Sequence, residues 1–182
     1  QVIERCRVDP EKVAVVPLGV GPEFRRVEEA ETLAAVRERF RLPERFLLCV
    51  GNLEPKKNLP RVLEAFGSLR RAGLPHGLVL AGQPAWGADA LHAAIAANGL
   101  AEAVVRTGFV PDEDLPALYS LSDVLLFPSL EEGFGLPPLE AMACGTPVVV
   151  ADAPPFPETV GDAAVRVDAA DPSAIAAGIR RV

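Results

Sequence analysis

Short apolar runs recur along this chain at nearly even intervals, and the segments between them carry helical spacing. The runs are Phe46-Leu47-Leu48-Cys49-Val50, residues 78–82, residues 104–108, Val124-Leu125-Leu126-Phe127, Val148-Val149-Val150 and Val165-Arg166-Val167. Most are apolar without interruption, which is how a strand buried on both faces reads. Strands and helices that alternate through short connections predict an α/β fold: a Rossmann-like, doubly wound parallel sheet with helices on both faces. Ligands on such a sheet bind beyond the carboxyl ends of the strands. The loops after the first, fourth and fifth runs should therefore gather on one edge, where their chemistry can converge.

The intervening segments support that reading. Leu33, Val36 and Phe40 share one face of a helix predicted over 27–40, which Pro43 ends. Asn58 is the expected N-cap of a strongly amphipathic helix to about residue 71, with Leu59, Val62, Leu63, Phe66 and Leu69 buried. Residues 90–98 form a helix that Gly99 stops. Asp112 is the expected cap of a helix over 113–120, with Leu115, Leu118 and Tyr119 inward. Asp171 caps a last helix, with Pro172 at its first position. Residues 1–26 read as a lead-in, with Val13-Ala14-Val15-Val16 a strand candidate before a turn-rich stretch from Pro17 to Pro22. Residues 27–182 read as one domain, a size that suits a sizeable core.

Charge and cysteine usage exclude some functions. The net charge of −7, from 18 basic and 25 acidic residues, argues against a nucleic-acid surface. No apolar run approaches the roughly 20 residues a membrane helix needs. No Cys/His cluster has metal-ligand spacing, so no metal is expected. Cys6, Cys49 and Cys144 sit in or beside apolar segments and read as small buried thiols of a reducing cytosol. The isolated His76 and His92 are assigned no role, and Trp86 is left open between surface packing and the site.

Chemistry concentrates in residues 129–147, which read as a strand end, a glycine loop and a short helix closed by Gly145 and Pro147. Gly133 and Gly135 let the backbone turn and approach a ligand closely. Pro137 and Pro138 fall in the first helical turn, where a missing N–H costs little. Backbone N–H groups around Phe134, Gly135 and Leu136 then lie free at a helix N-terminus, a setting that suits a phosphate. Glu132 on the loop and Glu140 on the helix flank that spot. Carboxylates repel phosphate but accept hydrogen bonds from hydroxyls. Diphosphate donors between two hydroxyl readers fit a nucleotide sugar.

E-G-F-G-L-P-P-L-E, with seven residues between Glu132 and Glu140, resembles the E-x7-E signature of retaining GT-B glycosyltransferases, above all the large family 4. Val50-Gly51-Asn52-Leu53-Glu54-Pro55-Lys56-Lys57-Asn58 resembles the family's V-G-x-L-E-P-R-K-N. Pro157-Glu158-Thr159-Val160-Gly161-Asp162-Ala163-Ala164 resembles its P-E-V-x-G-D-A-A, and V-V-P-L-G-V-x-x-x-F in the lead-in resembles its hinge.

The resemblance implies one half of a GT-B enzyme: the C-terminal, donor-binding domain, partnered by an N-terminal acceptor domain of the full-length chain. Both ends then read as truncated, and the isolated piece is expected to bind nucleotide but transfer little. Lys57 matches the family lysine that stabilises the departing diphosphate, with Lys56 as its helper. Asn52 departs from the pattern, since many members carry Arg there. Glu132 matches the group that contacts donor-sugar hydroxyls, Glu140 the one that accepts the ribose hydroxyls. The backbone of Gly133, Phe134, Gly135 and Leu136 matches the diphosphate cradle, and backbone groups at Phe109 and Val110 the reader of the base. Pro157 and Glu158 would shape the crevice wall.

No cofactor or metal is implied beside the donor substrate. The E-P-x-K-N form favours GDP-mannose, with a UDP-sugar as the alternative. A nucleotide-sugar epimerase or phosphorylase on the same fold, or a nucleotide-binding module without transfer, are the competing readings. The expected location is the cytoplasm, peripheral at the inner face of the membrane where acceptors are lipid-linked, through the other domain.

Overall fold

The structure is a computed structural model that describes residues 2–14, 16, 18–83 and 88–182. Among these residues the chain opens with helix α1 (Val2–Cys6), a 3-10 turn (Pro10–Lys12) and helix α2 (Ala30–Arg39). Strand β1 (Phe46–Val50), a 3-10 turn (Pro55–Lys57), α3 (Leu59–Arg71), β2 (Gly77–Ala81), α4 (Ala88–Ala97) and β3 (Val104–Gly108) follow. Then come α5 (Leu115–Leu121), β4 (Val124–Phe127), α6 (Leu136–Ala143), β5 (Val148–Ala151), α7 (Phe156–Thr159), β6 (Val165–Val167) and α8 (Pro172–Arg181).

The strands lie in the order β3-β2-β1-β4-β5-β6, and every neighbouring pair is parallel. From β1 the chain winds outward through β2 to β3, then returns to place β4 against the other side of β1. The switch point therefore falls between β1 and β4, where such a sheet opens a crevice.

Alternate side chains of each strand enter opposite layers. Leu47, Cys49, Leu78, Leu80, Leu126 and Val149 pack with α3, α4 and α8. Phe46, Leu48, Val79, Leu125, Phe127 and Val150 pack with α2, α5 and α6. Helix α3 buries Leu59, Val62, Leu63, Phe66 and Leu69, the face its spacing predicts. Asp171 caps α8, its carboxylate accepting from the Ser173 N–H at 2.8 Å.

Of two expected caps, one holds by position alone and one fails. Asn58 occupies the N-cap position of α3, its carbonyl accepting from the Val62 N–H at 3.2 Å, but it stands in the left-handed region, φ 59°, and its side chain makes no cap bond. Its amide instead donates to the carbonyls of Pro128 (3.1 Å) and Ala169 (2.7 Å), and its side-chain oxygen accepts from Arg61 (2.9 Å). Buried at 2% exposure, Asn58 ties the loops after β1, β4 and β6 together, and a side chain so engaged cannot also cap. Asp112 does not cap α5, which begins only at Leu115. Pro116 has no N–H to give an interior turn, so the helix must start late enough to hold it in the first turn.

Cys49 and Cys144 are buried as expected, but Cys6 is exposed, because α1 presents it away from the two core layers. Val13, Ala14 and Val16 belong to no strand. Val15 and Pro17 of the same stretch, and Trp86, lie outside the described residues. The lead-in is nonetheless attached to the domain: the Val27 N–H donates to Ser120 Oγ at 3.0 Å, and the Phe24 ring lies 6.2 Å from that of Tyr119.

Candidate donor site

The loops that leave β1, β4 and β5 meet at the carboxyl edge of the sheet, and backbone contacts register them. The Leu130 N–H donates to the Lys56 carbonyl at 2.8 Å, which fixes the β4 loop beside the β1 turn. Gly82 lets the end of β2 approach β1: a Cβ there would collide with the Gly51 carbonyl oxygen. Gly135 has φ 84°, and a Cβ would meet the Phe156 ring at 2.7 Å. The β5 loop thus supports the glycine loop from beneath, through a ring that also packs edge-on against Phe127 at 5.9 Å. Gly133 is different. Its φ is not positive and open space surrounds the place of its Cβ, so the backbone conformation does not require glycine there.

Lys57 and Glu132 come together. The Lys57 Nζ donates to Glu132 Oε1 at 2.7 Å and sits 4.1 Å from the centroid of the Phe127 ring. Their side chains are only 13% and 12% exposed. An ammonium so far withdrawn from water is held by charge and by the ring face together. Lys56 does not share in this. Its side chain is 46% exposed, and its ammonium lies 3.7 Å from Glu54.

The Glu132 loop runs directly into α6. The N–H groups of Gly133, Phe134, Gly135 and Leu136 have no acceptor among the described residues. Pro137 and Pro138, next in line, contribute no N–H. Donors therefore cluster at the glycine loop and the first helical residue, where an anion could take them. Phe134 is half-buried and belongs to neither core layer.

Glu140, one turn into α6, has a different partner. Its Oε2 accepts from the Tyr119 hydroxyl at 2.8 Å. Burial pushes the Glu140 carboxyl above its ordinary range, opposed by the Tyr119 hydrogen bond; nearby Asp112 and Glu23 raise it further. Burial likewise pushes the Tyr119 phenol up, with the Glu140 charge adding to the effect.

Beside these groups an open cleft of about 460 Å³ lies past the ends of β1, β2 and β3. Val50, Gly51, Asn52, Gly82, Phe109 and Val110 line it. Val110 is buried while the neighbouring Phe109 is 60% exposed. Pro157 and Glu158 are exposed on α7, and the buried Phe156 before them packs under Gly135. Among the described residues no group of three or more His, Cys, Asp or Glu could hold a metal ion. None of their helices is long and apolar enough to cross a membrane.

Sequence reasoning overlooked Asn58 as a loop tie, Phe127 and Phe156 as the aromatic floor, and the Tyr119 hydroxyl as the partner of Glu140. The inward face of α5 pointed to Tyr119 as core, and a buried phenol implies a hydrogen-bond partner without naming it.

An open parallel sheet of this order, with an anion-suited helix start at the switch point, is one Rossmann-like half of the GT-B architecture. The family described as glycosyl transferases group 1 matches residues 34–182. The O-antigen chain mannosyltransferase B of Escherichia coli is 34% identical over 181 residues, covering 98% of this chain and 47% of that protein. A GDP-mannose-dependent alpha-(1-6)-phosphatidylinositol monomannoside mannosyltransferase of Mycolicibacterium smegmatis is 33% identical, across 90% of this chain and 45% of its own. A solved glycosyltransferase from Rickettsia africae superposes with a TM-score of 0.87 at 22% identity, over 99% of this chain and 49% of that one. The chain thus spans about half the length of each of these three proteins. It belongs to the glycosyl transferases group 1 family, as a C-terminal domain of the GT-B fold.

Proposed function

We propose that this chain binds a nucleoside diphosphate sugar and serves as the donor half of a retaining hexosyltransferase. The observation that carries the reading is the convergence of Lys57, Glu132 and the free N–H groups of residues 133–136 at the switch point. The diphosphate lies on those N–H groups, with Lys57 against the phosphate that leaves. As the bond between the anomeric carbon and the phosphate oxygen breaks, its electron pair goes to the diphosphate. A fixed cation and helix N–H groups stabilise that charge. The acceptor hydroxyl attacks from the face the phosphate leaves, and its proton passes to the departing phosphate oxygen.

Glu132 accepts from sugar hydroxyls and Glu140 from the ribose pair, while the backbone at Val110 reads the base in the adjoining cleft. Lys56 adds positive charge at the rim. Mannosyltransferases among the relatives favour mannose, and the Mycolicibacterium smegmatis relative, described as GDP-mannose-dependent, favours GDP-mannose as the donor. Residues 1–26 act as the hinge to an acceptor domain. That domain completes the active site and supplies any peripheral contact with the cytoplasmic face of a membrane.

Calorimetric titration with GDP, UDP and ADP, then with the matching nucleotide sugars, tests the reading. One nucleotide should bind with a micromolar or tighter Kd, and Glu140→Ala should weaken it by about tenfold or more. Failure of every nucleotide to bind both this chain and the full-length protein overturns the proposal.

A further inference from the structure

We propose that Tyr119 is the positioning residue of the ribose site: its hydroxyl fixes the orientation and the charge of Glu140. The inference rests on the ribose role given to Glu140 above and concerns what makes that carboxylate competent. Glu140 has no cation within bonding distance among the described residues; its one side-chain partner is the Tyr119 hydroxyl, at 2.8 Å. That hydroxyl occupies Oε2 and holds the carboxylate in one rotamer, with Oε1 free to accept.

The phenol is itself rigidly placed. Tyr119 is wholly buried. Its carbonyl accepts from the Thr146 hydroxyl at 2.6 Å and from the Ser122 hydroxyl at 2.8 Å. Thr146 closes the far end of α6, so α5 and α6 are tied both at the Tyr119 backbone and at its hydroxyl. The Phe24 ring of the lead-in covers the phenol from the other side.

Charge makes the contact necessary. The titratable groups whose charge or hydrogen bond acts on Glu140 are Tyr119 from α5, Cys144 just past its own helix, Asp112 from the loop after β3 and Glu23 from the lead-in. None of them is a cation. Burial and the two acidic neighbours all favour the protonated acid, and the Tyr119 hydrogen bond opposes them. Because burial keeps the phenol protonated, the hydroxyl remains a donor across the working pH range. A protonated Glu140 would accept ribose hydrogen bonds poorly.

The test is Tyr119→Phe in the full-length protein, titrated with GDP against 2′-deoxy-GDP and with UDP against 2′-deoxy-UDP. The wild type should prefer the ribose form of its nucleotide by about tenfold. Tyr119→Phe should lower that preference several-fold by weakening the ribose form alone. It should also move the loss of the preference on acidification to higher pH. A merely structural role would weaken ribo and deoxy forms alike and leave the pH profile in place. An unchanged preference and profile in Tyr119→Phe overturn the proposal. A wild type with no ribose preference, matched by a silent Glu140→Ala, overturns the ribose assignment itself and the proposal with it.

Discussion

Glu132 and Glu140 flank the same helix start, yet the fold gives them opposite surroundings. Glu132 sits on a loop, bonded at 2.7 Å to an ammonium that also rests on an aromatic face. Glu140 sits on a helix among carboxylates and a thiol, and its one hydrogen bond comes from a neutral phenol. The first carboxylate is matched by charge and, on the proposed reading, can exchange: an arriving diphosphate would compete for Lys57, and the freed Glu132 would turn to sugar hydroxyls. The second has no counter-ion to lose among the described residues, so it is preset by packing. On that reading one side of the site rearranges on binding and the other stays fixed.

The most severe way to break this contrast is to remove the cation. Lys57→Ala should lower turnover of the full-length enzyme by about 10²–10³-fold, the range found when a group that stabilises transition-state charge is lost. Ribose discrimination, which the proposed reading assigns to Glu140, should persist in the same variant. A normal turnover number would remove Lys57 from the leaving-group role.

Glu132→Gln sharpens the comparison with a smaller effect. Without the carboxylate, Lys57 is open to a diphosphate that no longer has to displace a partner. The bare nucleoside diphosphate should bind at least as tightly as to wild type, because a largely buried competing ion pair is lost. The extra affinity contributed by the donor sugar should fall. Calorimetry with nucleotide and nucleotide sugar side by side reads both. Weaker binding of the bare nucleotide would mean that Glu132 orients Lys57 instead of competing for it.

The same contrast separates what the sequence discloses from what it hides. The sheet is legible because each strand is a short apolar run, and a run buried on both faces needs no distant partner to be recognised. Lys57, Glu132 and Glu140 are legible as residue types at a loop and a helix start, where local rules apply. Asn58 reads locally as a cap because its actual partners, Pro128 and Ala169, lie far along the chain. Helix α7 is only four residues, too short for any periodicity, so Phe156 and its support of Gly135 left no local trace. Lys56 and Lys57 are adjacent and chemically alike, and only the fold shows that one is buried against Glu132 and the other exposed near Glu54. Residue type and spacing nominate the charges; long-range packing decides which of them are desolvated.

The smallest effect concerns stability and tests the preset half directly. Glu140 has its folded-state pKa raised above the unfolded value, chiefly by burial. A group of that kind contributes its full stability below the unfolded pKa, and the contribution is lost as pH rises through the folded pKa. Near neutral pH the charged Glu140 therefore costs stability, and Glu140→Gln should recover it. The gain should not exceed about 1 kcal/mol, because the side chain is only part-buried and solvent screens its charge. For a chain of this size that is about 2–4 °C in Tm. The gain should shrink toward zero as the pH falls below the unfolded carboxyl range, where wild type and variant are both neutral. Glu132→Gln should show the reverse sign near neutrality, since that change strands an ammonium instead of relieving an acid. A Glu140→Gln variant less stable than wild type at neutral pH would show that its hydrogen bond from Tyr119 outweighs the cost of burying the charge.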